Sequence, residues 1–230
     1  MYCKALLKTT MNNQINPLET LTEIRSLMER STKFISLSGL SGVCAGVFAL
    51  VGALAAYTHL QSIGNPTLSF NDNYLTTVQQ LQSYSAYQNS DSILFFALDA
   101  ILVLIASLVA GSFFTLRKAK KNNQVVWDST SKRLLVHLAL PLVVGGIFCI
   151  ALLINGCAGL VAPATLLFYG LALINASKYT LHDIFQLGVL QIILGLIATF
   201  LIGYGLLFWA IGFGVFHIVY GIVMYSKYER

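Results

Sequence analysis

Five polar side chains interrupt the long apolar runs of this chain: Ser41, Asp99, His137, Gln191 and His217. An ionisable or amide side chain in hydrocarbon is costly, and it usually faces the interior of a helix bundle or a water-filled cavity. With a rise of about 1.5 Å per residue, Ser41, Gln191 and His217 lie about 10 to 12 Å from one end of their helices. The five residues are therefore candidates for one polar cavity inside a membrane bundle. The alternative is that they are packing residues, hydrogen-bonded across helices.

Ser41 and His217 could also act as a nucleophile and its base, the arrangement used for acyl transfer. The segment Gly39-Leu40-Ser41-Gly42 resembles the GxSG nucleophile motif of rhomboid intramembrane proteases. The pattern departs from that family because the motif lies on the first apolar run and the oxyanion-hole residues have no counterpart. Small-residue packing explains the motif without catalysis, so we assign no catalytic residue.

Metal and cofactor chemistry has little support in the sequence. His137 and His217 have no nearby carboxylate to complete a metal set. The four cysteines, Cys3, Cys44, Cys149 and Cys157, lack CxxC spacing and serve as small packing residues. We therefore predict no metal site and no cofactor.

The composition places these residues in a membrane. The chain is 57% hydrophobic and 10% charged, whereas soluble domains carry about 25% charged residues. The net charge is +5, and the basic residues that produce it lie beside apolar runs and do not form a nucleic-acid-binding pattern. We therefore predict that the protein has no nucleic acid partner. We predict instead that anionic lipid headgroups bind one basic cluster: Arg117, Lys118, Lys120, Lys121, Lys132 and Arg133.

The hydrophobic pattern predicts an all-α polytopic membrane protein, a six-helix transmembrane bundle of three hairpins. A span needs about 20 mostly apolar residues. Residues 1–33 form a predicted cytoplasmic segment with an amphipathic helix, and 34–230 form the transmembrane domain. Glycine-rich turns at 155–159 and 203–205 predict tight hairpins. The expected spans are 34–57, 93–116, 134–154, 160–174, 184–203 and 206–225.

The basic residues predict the orientation. All 14 lysines and arginines fall on one side of the six-span arrangement. By the positive-inside rule that side is the cytoplasm. We therefore expect a multi-pass protein of the inner (plasma) membrane, with both termini in the cytoplasm.

The first span carries small residues at three- and four-residue steps, including Gly42 and Gly46. A Gly-xxx-Gly pair lets another helix approach closely, because packing rather than the hydrophobic effect holds helices together in lipid. This pattern predicts a close helix contact, and one possible use of it is a homo-oligomer.

Four segments carry a resemblance to a known family. The chain resembles an uncharacterised family of bacterial six-span integral membrane proteins, and the resemblance implies the fold but no activity. A second resemblance, in the layout of the hairpins, is to the acid-resistance hairpin-repeat membrane proteins, although Gly212 stands where the pattern of the fourth span has Pro163. The four segments are STKFISLSGLSGVCAGVFALVGA (31–53), TSKRLL (130–135), APATLLFYGLALINASKYT (162–180) and GYGLLFWAIGFG (203–214).

Three functions follow as hypotheses. The first is transport of a small molecule or ion, or an accessory role in a transporter, with a cavity lined by some of the five polar residues. The second is a non-catalytic structural or stress-related membrane protein that oligomerises. The third is an intramembrane serine hydrolase, and on balance we predict that the protein is not an enzyme.

Overall fold

The computed structural model describes residues 38–62, 90–121 and 127–228. Within these ranges six helical segments are long and apolar enough to cross a membrane. The prediction of an all-α, multi-pass membrane bundle is confirmed. The amphipathic helix expected within residues 1–33 lies outside the described residues.

The sixth span is built differently from the others. It begins as the helix Gly205–Trp209, continues as a π-helical segment, Ala210–Phe216, and ends as the helix His217–Tyr228; the three parts together are called α6. Short 3₁₀ turns flank α4 at Ala158–Leu160 and Ser177–Tyr179. The other spans are α1 (Gly39–Ser62), α2 (Ser90–Lys121), α3 (Ser129–Ile154), α4 (Val161–Ala176) and α5 (Asp183–Phe200).

Several helices extend beyond the predicted spans. Helix α2 has 32 residues, a length of about 48 Å, whereas the hydrocarbon core is about 30 Å thick. Its last turn contains Lys118, Lys120 and Lys121, and cations at a helix C-terminus stabilise it. Helix α3 starts five residues early because the Asp128 carboxylate accepts a 2.6 Å hydrogen bond from the Ser129 N–H. Hydropathy marks the apolar part of a helix and misses these polar ends.

Glycines make the two short turns, as predicted. Gly156 has φ of 73°, and the Cys157 N–H donates to the Leu152 carbonyl at 2.8 Å. The Gly156 N–H also donates to the Leu153 carbonyl, which completes a Schellman cap at the end of α3. Gly203, with φ of 109°, follows the end of α5. Both conformations lie in the left-handed region that glycine adopts at no steric cost.

The helices pack around two central members. Helix α1 contacts α2 and α6, and α4 contacts α3, α5 and the first turns of α6. Helices α2 and α3 lie at the edges, where most of their apolar side chains face outward. Leu102 and Val109 of α2 are 66% and 65% exposed, as expected of side chains in contact with lipid.

The small-residue face of α1 packs against α6. A Cβ on Gly46 would lie 2.6 Å from the Gly214 carbonyl oxygen, and one on Gly42 would lie 3.2 Å from the Gly221 Cα. The close contact predicted for Gly42 and Gly46 is therefore made within the chain. An oligomer through these two glycines stays a prediction, and a second copy would compete with α6 for the same face.

Candidate functional site

Gln191 lies at the middle of α5 and is 0% exposed. Its side-chain Nε2 donates a 2.7 Å hydrogen bond to the backbone carbonyl of Gly212 in α6. A carbonyl oxygen can only accept, which assigns the amide: Nε2 is the atom bonded to the Gly212 carbonyl, and Oε1 makes no hydrogen bond to it. The pair joins α5 to α6 in the interior of the bundle.

The Gly212 carbonyl lies in the π-helical segment of α6. It accepts a second hydrogen bond, of 3.0 Å, from Nδ1 of His217. Segments of π-helix inside α-helices occur frequently at functional sites, because the wider turn changes which backbone groups are bonded within the helix. Two side-chain donors therefore converge on one main-chain oxygen.

His217 continues the network to a third helix. Because Nδ1 carries the proton that it donates to Gly212, the neutral ring leaves Nε2 as an acceptor. The Tyr169 hydroxyl of α4 lies 2.6 Å from this nitrogen and donates to it. We call Tyr169, Gln191, Gly212 and His217 the central network; it connects α4, α5 and α6.

One atom of the central network has no partner. Oε1 of Gln191 is buried and accepts no hydrogen bond from any residue that the structure describes. A Cβ on Gly212 would lie 2.6 Å from this oxygen and 2.5 Å from Cδ2 of Leu166. The oxygen therefore lies against the bare Cα of Gly212, with the apolar side chains of Leu166 and Leu194 beside it.

Protonation of His217 would reverse the direction of one hydrogen bond in the central network. If His217 takes up a proton, Nε2–H becomes a donor and the Tyr169 oxygen becomes the acceptor. The hydrogen bond from Nδ1 to Gly212 is kept in both states. The Gln191 oxygen offers a further acceptor for a polar group that enters the site.

No protein-family model, curated protein or solved structure matches this sequence.

The structure brings together Gln191 and His217 of the five predicted residues, and it places Ser41 elsewhere. The Ser41 hydroxyl donates to the Ser38 carbonyl of its own helix start at 2.5 Å. Both ring nitrogens of His217 are bonded to other groups. In the described residues no hydrogen bond joins Ser41 to His217, so the arrangement of a nucleophile with its base is not formed.

His137 has a different partner, in a position that resembles that of His217. Its Nε2 lies 3.0 Å from the Tyr179 hydroxyl, and the two rings stack with centroids 4.8 Å apart. Its backbone carbonyl accepts a 3.0 Å bond from the Asn175 amide. His137 thus joins α3 to the end of α4 and is not part of the central network.

Asp99 is also separate from the central network. Its carboxylate faces Gly52 of α1, on the side where α1 meets α2. Among the described residues no group of three or more histidines, cysteines, aspartates or glutamates is placed to hold a metal ion.

Sequence reasoning missed Tyr169 and Gly212. A tyrosine within an apolar run is common, and nothing in the pattern marks Tyr169 as a partner of His217. Gly212 and Gly214 stand two residues apart within the sixth span, and this spacing could have indicated an interrupted helix. That signal does not identify the Gly212 carbonyl as the acceptor.

Proposed function

We propose that this chain is a transport protein, or an accessory subunit of a transporter, and that its small-molecule or ion substrate interacts with the central network. The observation that carries this proposal is the buried, unpartnered Oε1 of Gln191 beside a π-helical segment. Substrate sites of many transporters lie near the midplane, where helices depart from regular α-helical geometry.

The energetics of the central network support a functional role. A buried polar atom without a partner costs about 1 to 3 kcal/mol, and an apolar residue of similar size at position 191 would avoid that cost. Polar groups inside a membrane bundle are expensive and generally mark substrate, ion or proton pathways. An acceptor that is left open is suited to bind a transient donor.

The charge distribution supports the plasma membrane and a cytoplasmic position for the basic end of the bundle. This end carries the last turn of α2 and the start of α3. Lys132 lies 5.9 Å from the centre of the Trp127 ring, and Trp127 is 66% exposed. An exposed tryptophan beside basic side chains is typical of the headgroup region. We propose that this cluster contacts anionic headgroups on the cytoplasmic side.

The test is electrical recording from proteoliposomes on a solid-supported membrane. Concentration jumps of protons, Na⁺, K⁺, amino acids and nucleosides identify the substrate of the wild type. We expect His217→Gln and Gln191→Leu to abolish the current and His137→Gln to keep it. His137 is the matched control because it also bonds a tyrosine hydroxyl between two spans. Equal currents in all three variants would overturn the assignment of the site.

A structural role is the second candidate, and the packing of α1 on α6 favours it. The glycines of α1 and α6 bring two backbones into contact, as in helix pairs whose function is assembly. If the protein has only a structural role, the wild type gives no current in any of the concentration jumps. The central-network variants then change only the unfolding temperature.

A further inference from the structure

A second polar pair lies between α1 and α2, apart from the central network. His59 is in the last turn of α1. Its ring stacks on Phe95 with centroids 3.8 Å apart and meets the edge of Phe96 at 5.9 Å. Its Nε2 is buried and makes no hydrogen bond in the part of the chain that the structure describes. This ring nitrogen therefore lies beside two phenylalanine rings and has no hydrogen-bond partner among the described residues.

Asp99 lies one turn further along α2 than Phe95, on the same face. Its two carboxylate oxygens would lie 3.2 and 3.5 Å from a Cβ on Gly52, so the missing side chain of Gly52 lets the carboxylate rest on the α1 backbone. Across residues 38–62, 90–121 and 127–228 the structure shows no hydrogen bond or ion pair for this carboxylate. We call His59, Phe95, Phe96, Asp99 and Gly52 the α1–α2 groove.

We propose that the α1–α2 groove binds a monovalent organic cation, an ammonium group with apolar substituents. The Asp99 carboxylate supplies the counter-charge that an acid within a span requires. His59 covers one face of the Phe95 ring. The ring faces of Phe95 and Phe96 that His59 does not cover attract a cation through their quadrupoles, which is how aromatic cages recognise ammonium groups. Nε2 of a neutral His59 can accept an N–H from a primary or secondary amine.

The surroundings favour an organic cation over a metal ion. Ca²⁺ takes about six to eight oxygen ligands and Mg²⁺ about six, whereas this groove offers one carboxylate. Helix α2 faces lipid along most of its length, with Leu94 and Leu98 60% and 52% exposed. Asp99 itself is partly exposed, so a cation with apolar substituents can reach it from the bilayer.

Helix α2 contains its own control for the aromatic contribution. Phe113 and Phe114 meet edge to face at 5.5 Å and 80°, nearly the geometry of Phe95 and Phe96 at 5.8 Å and 82°. No acidic residue lies within one turn of this second pair. A variant at Phe114 therefore changes an aromatic side chain of the same helix without touching the groove.

The experiment is equilibrium binding of radiolabelled tetraphenylphosphonium to the purified protein in a non-ionic detergent, whose headgroup carries no ammonium group. We expect saturable binding at one site in the wild type. Asp99→Asn should weaken it at least tenfold and Phe95→Leu several-fold, whereas Phe114→Leu and Asp183→Asn should bind like the wild type. Absence of saturable binding in the wild type, or equal binding by wild type and Asp99→Asn, would overturn the proposal. Circular dichroism and gel filtration verify that each variant is folded. If Asp99→Asn does not fold, Phe95→Leu still tests the groove.

The role of His59 and the source of the cation are tested separately. Tetraphenylphosphonium has no N–H, so His59→Phe should keep its binding but weaken displacement by dodecylammonium. In nanodiscs of phosphatidylglycerol alone, adding phosphatidylethanolamine should raise the apparent dissociation constant if the lipid headgroup is the natural occupant. An unchanged constant would exclude the phosphatidylethanolamine headgroup as the occupant and leave a free amine, whose binding the dodecylammonium displacement measures. This site is independent of the proposed transport function.

Discussion

The side-chain amide of Gln191 and the carbonyl of Gly212 join α5 to the π-helical part of α6 through a hydrogen bond of 2.7 Å. The contact depends on glycine, because a Cβ at position 212 would lie 2.6 Å from the Gln191 Oε1. The same carbonyl also accepts a hydrogen bond from His217. A missing side chain and a widened helical turn together let two donors reach one oxygen inside the membrane domain.

Replacing Gln191 by Leu separates function from stability. The lost hydrogen bond is worth on average about 0.6 kcal/mol in a membrane bundle, and the variant also removes an unpartnered oxygen. We therefore expect the free energy of unfolding to change by less than about 1 kcal/mol, with the transport current abolished. Thermal unfolding in detergent and solid-supported-membrane recording measure the two quantities. A folded Gln191→Leu protein with full current would contradict a role for this amide in transport.

Gly212→Ala tests the close approach itself. The new Cβ would meet Leu166 Cδ2 at 2.5 Å and Gln191 Oε1 at 2.6 Å. Over-packing of a tight interior costs about 1 to 3 kcal/mol, so we expect a loss of that size. Gly111→Ala is the control, since nothing lies within 4 Å of a Cβ there, and it should be neutral or stabilising by up to about 1 kcal/mol. The comparison is made by thermal unfolding; equal stability of the two variants would show that the site has room for a side chain.

The sequence was sufficient to predict the six spans, the two glycine turns and the presence of Gln191 and His217 inside the bundle. Length and hydropathy determine these features locally. The grouping of the polar residues was predicted less well. Depth along a helix can be counted, but the direction in which a side chain points around the bundle depends on tertiary packing. Ser41 has a depth similar to that of His217, and its hydroxyl is bonded to its own chain segment instead.

The helix that packs on the small-residue face of α1 could not be identified from the sequence, for the same reason. The spacing of Gly42 and Gly46 predicts that a helix packs closely on α1, and this is confirmed. Which helix it is depends on the order of the spans in the bundle, which the local pattern does not contain. The π-helical turn and the bond from Tyr169 to His217 arise in the same way, from contacts between segments distant in the chain.

Gly46→Leu should destabilise the fold by at least about 2 kcal/mol. The added Cβ would lie 2.6 Å from the Gly214 carbonyl oxygen, a backbone atom that cannot rotate away. Gly146→Leu on α3 is the matched control, because nothing lies within 4 Å of its Cβ position. Detergent unfolding should show the loss only for Gly46→Leu. Similar curves for both variants would mean that the contact between α1 and α6 contributes little.

The proposed orientation is tested with single cysteines in a chain whose native cysteines are replaced by serine. Ser62 ends α1 at one side of the membrane, and Lys132 lies near the start of α3 at the other. We expect an impermeant maleimide to label Ser62→Cys on intact cells and to label Lys132→Cys only after lysis. The reason is the positive-inside rule. Labelling of Lys132→Cys on intact cells would reverse the orientation.

Tyr169→Phe and Tyr179→Phe compare two tyrosine–histidine pairs of the same chain. The Tyr169 hydroxyl donates at 2.6 Å to Nε2 of a histidine that is only 7% exposed. Its removal leaves that buried nitrogen without a partner, so the loss should approach the upper end of measured values, about 1.7 kcal/mol. The Tyr179 bond is longer, at 3.0 Å, and both of its residues are only partly buried.

Because water can replace the Tyr179 hydroxyl, Tyr179→Phe should cost less than about 0.5 kcal/mol. We also expect Tyr169→Phe to reduce the transport current, since the reversible hydrogen bond to His217 is gone, whereas Tyr179→Phe should conduct as the wild type does. Thermal unfolding and current recording on both variants check the two expectations. If Tyr169→Phe conducted like the wild type, as Tyr179→Phe should, His217 would be a packing residue like His137. The central network would then stabilise the bundle without taking part in transport.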